Sequence, residues 1–361
     1  MSKRLIIILG TKAQLIKLAP VLLELKRQKI KFTLVFTGQH QATMSAMQDQ
    51  LSLSKPHFTL YTGADITKIW QVPGWFIITS INAWKYRHEI FGKSSIVLVH
   101  GDTFSTLLGA LIGRVFGHQV AHVEAGLRSF NIFHPFPEEI TRIIVSRLCS
   151  IHFCAGKWAC RNLDNFGGKI IDTKSNTLYD TLQLAIKLPR GQKLNIPTEP
   201  YGLCSLHRFE TIFRPVVFRQ AIKLVLMAAR QRRILFILHP PTYHQLKKLG
   251  WLYWLSQHPN LEFRPRYPYL EFIELEKSAE FVITDGGSNQ EECFYMGKPC
   301  LLLRHHTERQ EGLNQNVVLS KFNEKVVSKF LADIDSFQRP PLSINSSPSR
   351  IIVKELKKQL A

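Results

Sequence analysis

Length, composition and charge place this chain among water-soluble globular proteins. It has 361 residues, 45% of them hydrophobic and 20% charged, a balance that excludes disordered and fibrous chains. A chain of this length is expected to form two domains of ordinary size. It has no apolar run long enough to span a bilayer and no signal-peptide cleavage site near its start, so neither an integral membrane segment nor export is expected.

The net charge and the cysteines limit the expected partners and location. Lys and Arg number 47 against 27 Asp and Glu, and the resulting charge of +20 favours nucleotide phosphates, nucleic acid or an acidic membrane surface. The basic residues are dispersed, so a generally basic composition explains them as well as nucleic-acid binding does. The six cysteines form no CxxC pair, which predicts no metal site and no disulfide framework and indicates a reducing cytoplasm.

Short apolar strands alternate with helical segments along most of the chain. The first series of predicted strands is Leu5–Leu9, Phe32–Phe36, Ile96–Val99, Val120–Val123 and Ile151–Cys154, with an amphipathic helix over Leu15–Arg27. A Pro-containing stretch, 189–200, precedes the second series, which is Leu203–Leu206, Ile234–Leu238, Phe281–Thr284 and Cys300–Leu303. A polar stretch, 339–349, leads into a predicted terminal helix over Ile351–Leu360.

This alternation predicts an α/β protein with two parallel, doubly wound sheets. The expected architecture is two Rossmann-like domains facing a cleft. The first covers residues 1–188, the second covers 200–335, and the terminal helix over 350–361 is expected to pack back on the first domain.

Three acidic positions of the first series are candidates for acid and base chemistry. Asp102 and Glu124 follow predicted strands, where open α/β sheets bind ligands, and Glu138 follows a Pro-containing loop. Arg128 and Arg142 are close in sequence, and carboxylates beside cations suit proton abstraction next to an anionic leaving group. The structural alternatives are a helix N-terminus at Glu138 and an N-cap at Asp102.

Two further segments are candidate phosphate sites. Gly10 to Lys17 forms a strand, turn and helix start that carries Lys12 and Lys17, although this signal is weak alone and lysine on a solvated helix face is the more ordinary explanation. Thr284 to Glu292 leaves a buried strand through Gly286, Gly287 and Ser288 into a helix. We expect Glu292 on the first turn of that helix, with its carboxylate open to ribose hydroxyls.

His207 and Arg309 complete the candidates of the second series. His207 leaves a strand beside Arg208 and suits contact with a diphosphate, although a single histidine is more often structural. Arg309 lies in a charged loop, either as a phosphate or ribose clamp or as part of a surface salt-bridge network.

Taken together, these segments resemble the non-hydrolysing UDP-N-acetylglucosamine 2-epimerases. The family pattern runs GTRPEAIKxAP, HGDT, HVEAGLR, PxPEExNR, GNTxxD, HRRE, TDSGGxQEE and GKPxLxxRxxTERPE. The corresponding segments lie in the same order at 10–20, 100–103, 122–128, 135–142, 176–180, 207–210, 284–292 and 297–311.

The resemblance implies a glycosyltransferase-B-like fold and a reaction by elimination and re-addition. A base removes the C2 proton, UDP leaves C1, and UDP re-adds after protonation of the other face. The acid and base residues of the family fall on Asp102, Glu124 and Glu138, and its catalytic histidine falls on His207. Its substrate contacts fall on Lys12, Lys17, Arg142, Phe272, Gly286, Gly287, Ser288, Glu292 and Arg309. No cofactor and no metal are expected. The expected partners are the UDP-sugar and a second copy in a homodimer, with peripheral membrane contact allowed and nucleic acid not expected.

The sequence departs from the family pattern at several positions. Lys12-Ala13-Gln14 replaces Arg-Pro-Glu, Phe209 replaces the second Arg of HRRE, and the phosphate loop is Gly-Gly-Ser in place of Ser-Gly-Gly. Many members carry an allosteric UDP-sugar site, which Gln39, His40 and His239 match only in part because the Gly-Gln segment expected near Ala64 is absent. These changes are compatible with another UDP-sugar and with loss of the allosteric response.

Two other enzyme classes fit the same pattern less well. A glycosyltransferase of the same fold usually needs one base, whereas three carboxylates are retained here. A hydrolysing epimerase is disfavoured by the segment His122 to Arg128, which lacks the Gly-Gly-Glu version of that branch. A binding protein without activity would have no reason to keep the motifs of both domains.

Overall fold

Two all-parallel β-sheets organise the chain, each within its own compact unit. The computed structural model describes residues 3–41, 44–133, 136–188 and 194–361. The first unit comprises residues 1–184 and 344–361, and the second comprises residues 185–343. Both sheets run outward in two directions from a central strand, which is the doubly wound arrangement expected from the alternation of strands and helices.

The sheet of the first unit has seven strands in the order β3-β2-β1-β4-β5-β6-β7. In chain order they are β1 (Arg4–Leu9), β2 (Phe32–Phe36), β3 (Phe58–Thr59), β4 (Ser95–His100), β5 (Gln119–Ala125), β6 (Ile151–Cys154) and β7 (Lys169–Asp172). All six residues of β4 are buried, because helices cover both faces of a parallel sheet. Residues that follow β1, β4 and β5 therefore meet at one edge of the sheet.

The sheet of the second unit has six strands in the order β10-β9-β8-β11-β12-β13. They are β8 (Tyr201–Leu206), β9 (Arg233–Leu238), β10 (Leu261–Pro265), β11 (Phe281–Thr284), β12 (Cys300–Leu302) and β13 (Val317–Leu319). The central strands β8 and β11 pair from Phe281–Gly202 to Thr284–Ser205, so the segments that follow them lie side by side.

The helices follow the strands along the whole chain. In order they are α1 (Lys12–Arg27), α2 (Met44–Gln50), α3 (Val72–Lys85), α4 (Arg87–Ile90), α5 (Phe104–Val115), α6 (Glu138–Leu148), α7 (Lys157–Arg161), α8 (Leu178–Lys187), α9 (Phe209–Ile212), α10 (Pro215–Ala229), α11 (Pro240–Lys248), α12 (Trp251–Ser256), α13 (Tyr269–Ser278), α14 (Gly287–Met296), α15 (Glu324–Ala332) and α16 (Pro348–Leu360). Short 3₁₀ helices cover Ile69–Gln71 and Ile334–Phe337. Among these described residues, no helix combines the length and the hydropathy needed to cross a membrane.

Helix α16 returns the chain to the first unit, where it packs on α1. The Ser347 side chain caps it and Pro348 occupies its first turn, so the helix begins three residues before the predicted start at Ile351. Asp180 of α8 accepts hydrogen bonds from the Ser347 hydroxyl and the Ser349 N–H, both at 2.8 Å. Part of the predicted linker over 189–200 lies outside the described residues.

Candidate active site

The loop between β1 and α1 is fixed by a capping box. Thr11 caps α1, and the Gln14 side chain accepts hydrogen bonds from the Gly10 and Thr11 N–H groups. The Gln14 amide nitrogen also donates to the His100 carbonyl at 2.7 Å. A carboxylate could not donate there, so glutamine at this position joins the start of α1 to the end of β4. Lys12 is the first residue of α1 and is half-buried.

Glu124 lies at a break in the pairing of β5 with β6. Its φ of 65° places it in the left-handed region, and the strand register shifts between Val123 and Ala125. Its Oε2 atom lies 2.5 Å from Lys17 Nζ, 2.5 Å from Asn176 Nδ2 and 3.6 Å from His100 Nε2. Lys17 is 4% exposed, so the alternative of a lysine on a solvated helix face is wrong for this residue.

Asp102 follows β4 and pairs with Arg142. The Arg142 Nε and terminal nitrogen atoms lie 2.9 and 2.7 Å from Asp102 Oδ2. Thr103 rather than Asp102 caps α5, so the N-cap interpretation of Asp102 is wrong. The carboxylate is therefore held by a guanidinium, and that cation is held by α6.

Glu139 organises the cations of this region, and the sequence interpretation missed it. It is fully buried and accepts from Arg128 Nε at 2.6 Å, Arg142 at 3.2 Å and the Ser129 N–H at 2.9 Å. Burial alone would raise the pKa of the Glu139 carboxyl, but the Ser129 N–H and the two guanidinium groups lower it below its usual value. The two adjacent acids after Pro137 indicated that a carboxylate is important here, but the sequence does not tell which of them faces inward.

Glu138 is the first residue of α6 and is half-buried. The predicted helix start is confirmed, with Pro137 preceding it and two acids on its first turn, where the helix dipole favours negative charge. Pro135, also part of this motif, lies outside the described residues. The two explanations offered for Glu138 are compatible, because a helix start can also present a carboxylate.

His122, on β5, is buried and neutral. Its Nε2 atom lies 2.7 Å from the Gly101 carbonyl. Burial lowers the pKa of His122 to about 4, although the Gly101 carbonyl opposes the shift. The imidazole thus supports the turn that carries Asp102.

In the second unit, Asp285 orients His207. Asp285 is fully buried and accepts from the His207 N–H at 2.9 Å and the Arg208 N–H at 3.0 Å. Its Oδ1 atom lies 3.6 Å from His207 Nδ1. A Cβ added at Gly286 would lie 2.7 Å from His207 Cε1, so glycine at this position lets the imidazole lie against the backbone.

The phosphate-loop candidates open α14, which begins at Gly287. Ser288 is its second residue and is half-buried. A Cβ at Gly287 would lie 2.6 Å from Arg309 Nε, so the arginine covers this glycine. Arg309 is 8% exposed and pairs at 2.6 Å with Glu291, which is fully buried. The pair is therefore part of the interior, and the surface salt-bridge interpretation of Arg309 is wrong.

Glu292 is the sixth residue of α14, on the second turn, so its predicted place on the first turn is wrong. It is 2% exposed and its Oε2 atom accepts from Asn289 Nδ2 at 3.2 Å. Its carboxylate thus lies among buried polar groups. Phe272, on α13, is half-buried and packs against the core of this unit.

The residues proposed for an allosteric site have partners within their own units. The Gln39 amide oxygen accepts from the Ser105 hydroxyl at 2.6 Å. The His40 N–H donates to the Gly10 carbonyl at 2.8 Å. His239 Nε2 lies 3.1 Å from Ser205 Oγ, and its ring lies 4.8 Å from the His207 ring. Within the described residues, no group of three His, Cys, Asp or Glu side chains could hold a metal ion.

The chain is similar to known proteins over nearly its whole length. The family model described as UDP-N-acetylglucosamine 2-epimerase matches residues 23–345. A UDP-N-acetylglucosamine 2-epimerase of Methanococcus maripaludis is 31% identical over 346 residues, covering 89% of each chain. A UDP-2,3-diacetamido-2,3-dideoxy-D-glucuronate 2-epimerase of Pseudomonas aeruginosa is 33% identical over 349 residues, covering 90% of each.

The fold agrees with that of a solved enzyme. The structure of Methanocaldococcus jannaschii UDP-GlcNAc 2-epimerase in complex with UDP-GlcNAc and UDP superposes with a TM-score of 0.83 at 29% identity. The superposition covers 98% of this chain and 99% of that one. The predicted class, two Rossmann-like domains of the glycosyltransferase-B-like kind, is confirmed.

Proposed function

This chain belongs to the UDP-N-acetylglucosamine 2-epimerase family, and we propose that it interconverts UDP-N-acetylglucosamine and UDP-N-acetylmannosamine. It is an isomerase that inverts the configuration at C2 of the sugar. The observation that supports this best is Glu124, a buried carboxylate at the end of a central strand, held by Lys17 and Asn176.

The first half of the reaction eliminates UDP. A carboxylate takes the C2 proton, the C–H electron pair forms the C1=C2 double bond, and the C1–O bond breaks with its electrons leaving on UDP. The products are the 2-acetamidoglucal and UDP, so no electrons are gained or lost and no cofactor is needed. Asp102, Glu124 and Glu138 are the proposed acid and base residues.

The second half re-adds UDP to the bound glycal. A proton reaches C2 on the opposite face, and the diphosphate oxygen forms the new bond to C1. Gly286, Gly287 and Ser288 present the N-terminus of α14 to the diphosphate, and His207, oriented by Asp285, stabilises the leaving group. Lys12, Lys17 and Arg142 add positive charge, and Phe272, Glu292 and Arg309 form the proposed nucleotide side.

A deuterium experiment tests the reaction. The protein is incubated with UDP-N-acetylglucosamine in deuterated water, and the recovered sugars are analysed by NMR. We expect deuterium at C2 and formation of the manno epimer. Free sugar with UDP would indicate a hydrolysing enzyme. If neither deuterium nor UDP appears, the proposal is wrong, and a glycosyltransferase must then be tested with acceptors.

The same assay tests the sugar. UDP-2,3-diacetamido-2,3-dideoxy-D-glucuronate is run in parallel, because the relative from Pseudomonas aeruginosa is named for that substrate. Faster deuterium exchange with this sugar would identify it as the better substrate, while the proposed type of reaction would stand.

Three variants test the acid and base roles. We expect kcat to fall by about 10² or more, the range of general acid–base catalysis, with UDP affinity little changed. The variants are Asp102→Asn, Glu124→Gln and Glu138→Gln. Turnover near the wild-type rate in any one of them would remove that residue from the mechanism.

We also propose that the enzyme is a homodimer formed through an exposed apolar surface on α3. This α3 surface consists of four side chains of α3 and two of the 3₁₀ helix before it, all large and 46% to 73% exposed: Ile69, Trp70, Ile77, Ile78, Ile81 and Trp84. An interface of standard size takes about 800 Å² from each partner. Monomers rarely leave a large apolar patch uncovered.

Sedimentation measurements of Ile77→Lys/Ile81→Lys test the dimer, with Val216→Lys as a control at an apolar side chain that is 72% exposed on the second unit. We expect a dimer for the wild type and the control and a monomer for the double variant. Peripheral membrane contact is the competing use of this surface, since residues 66–88 contain three Lys or Arg side chains, one His and no acid. A monomeric wild type that binds anionic vesicles through the α3 surface would overturn the proposal.

The proposed location is the cytoplasm. All six cysteines are free, as is usual in a reducing compartment.

A further inference from the structure

Asn176 lies in the turn before α8, and the hydrogen bonds of its side-chain amide fix its orientation. It is 3% exposed. Its Oδ1 atom accepts from the Leu178 N–H at 2.9 Å, and its Nδ2 atom lies 2.5 Å from Glu124 Oε2. Because the backbone N–H can only donate, the amide oxygen must face Leu178, and the NH₂ group must face Glu124.

Glu124 needs support of this kind. Its left-handed backbone conformation costs on the order of 1–2 kcal/mol for a residue other than glycine. The strand register shifts at the same position, and irregularities of this kind change the direction in which a side chain points. Lys17 and Asn176 bind the same oxygen of the carboxylate, so they fix it from two elements, α1 and the turn before α8.

These two elements are also joined to each other. The Thr181 hydroxyl of α8 donates to the Ile16 carbonyl at 2.8 Å, directly before Lys17. The turn before α8 is held by Thr173, whose hydroxyl lies 2.8 Å from the Cys154 carbonyl. The two donors to Glu124 therefore lie on a single hydrogen-bonded framework within the first unit.

We propose that Asn176 is a positioning residue that holds the Glu124 side chain in its reactive orientation. Asparagine suits this task because its NH₂ group donates to a carboxylate without adding a charge, while its oxygen caps the backbone of α8. The inference rests on the proposed catalytic role of Glu124. Lys17 of α1 and His100 of β4 are charged or titratable side chains that also face this carboxylate, at 2.5 and 3.6 Å.

The test is Asn176→Asp. An aspartate keeps the size and the cap, but it replaces the donor with a second carboxylate beside Glu124. We expect kcat to fall by about 10² with UDP affinity unchanged within about threefold. We also expect the acid limb of the kcat profile to move to higher pH, since a neighbouring like charge disfavours ionisation. Part of the lost activity should return in alkaline solution.

Asn323→Asp is the matched control. Asn323 caps α15 through its Oδ1 atom, which accepts from the Lys325 N–H at 2.9 Å, so the same substitution occurs at a similar cap in the second unit. We expect wild-type kcat and an unchanged pH profile. Asn176→Ala introduces no charge and covers the case in which the aspartate variant does not fold; it should lose about tenfold in kcat at constant UDP affinity.

The outcomes separate this inference from the proposed function. If Glu124→Gln keeps wild-type turnover, the catalytic role of Glu124 is wrong. If Glu124→Gln is inactive while Asn176→Asp matches the wild type at every pH, only the positioning role is wrong. A loss in Asn176→Asp that is equal at all pH values and accompanied by lost UDP affinity would indicate a merely structural asparagine and would also overturn the inference.

Discussion

Gly286→Ala should displace His207 and Asn289, the two side chains nearest to this glycine. The added methyl group would lie 2.7 Å from His207 Cε1 and 2.5 Å from Asn289 Oδ1. Ordinary contact requires at least 3.4 Å. The imidazole must therefore retreat by about 0.7 Å, and misplacement by about 1 Å can reduce a rate 10²-fold. We expect kcat to fall by about 10- to 100-fold.

The same crowding should lower stability by about 1–3 kcal/mol, the usual effect of overpacking. Gly250→Ala is the control for that loss. Gly250 has a φ of 71°, which strains any residue with a Cβ, but a Cβ there would meet no atom within 4 Å. It should lose comparable stability and keep its kcat.

The assay is the initial rate of epimerisation, measured by NMR for both variants, with unfolding followed by circular dichroism. If Gly286→Ala turns over within twofold of the wild type, His207 either does not lie against this glycine during the reaction or has no part in it. The result would also help to explain why this phosphate loop has its serine at 288, whereas the family pattern has it at the position of Gly286. A serine at 286 would bring a Cβ equally close to His207 and Asn289.

Three further outcomes are expected. UDP should raise the melting temperature of the wild type more than that of Glu292→Ala/Arg309→Ala; an equal shift would contradict the placement of the nucleotide on the second unit. The initial rate should depend hyperbolically on the concentration of UDP-N-acetylglucosamine, because the amide oxygen of Gln39 already accepts a hydrogen bond from Ser105. A lag in the reverse reaction that trace UDP-N-acetylglucosamine abolishes would show a working second site. Burial lowers the pKa of His122 from 6.5 to about 4, so between these pH values the unfolded chain binds a proton that the folded chain does not. The free energy of unfolding should therefore decrease as the pH falls from 6.5 towards 4. His122→Gln should remove up to about 3 kcal/mol of that acid sensitivity in urea titrations.

Central strands were predictable from sequence, and edge strands were not. The strands β1, β4 and β11 are continuous apolar runs, because helices cover both faces. The strands β3 and β7 lie at the ends of their sheet and are only partly buried, so their sequences carry little apolar pattern. The apolar central strands were therefore enough to predict the type of fold, whereas the number of strands became clear only from the structure.

For the candidate site, the place of a residue relative to its strand was easier to predict than its environment. The positions of Asp102 and Glu124 at the ends of strands followed from the alternation of strands and helices. The burial of Lys17 did not, because it depends on a carboxylate 107 positions away in sequence. The prediction placed Glu292 one turn too early on α14. The first residue of that helix depends on the backbone geometry of a glycine turn, which the sequence does not specify.

The position of α16 has a consequence for how the protein is made. The second unit is an insertion in the sequence of the first, because α8 and α16 enclose it. During translation, every residue of the second unit leaves the ribosome before Pro348 does. The inserted unit is thus complete while its host still lacks the helix that packs on α1. Until Pro348 and the residues after it have been synthesised, the part of α1 that packs on α16 stays uncovered.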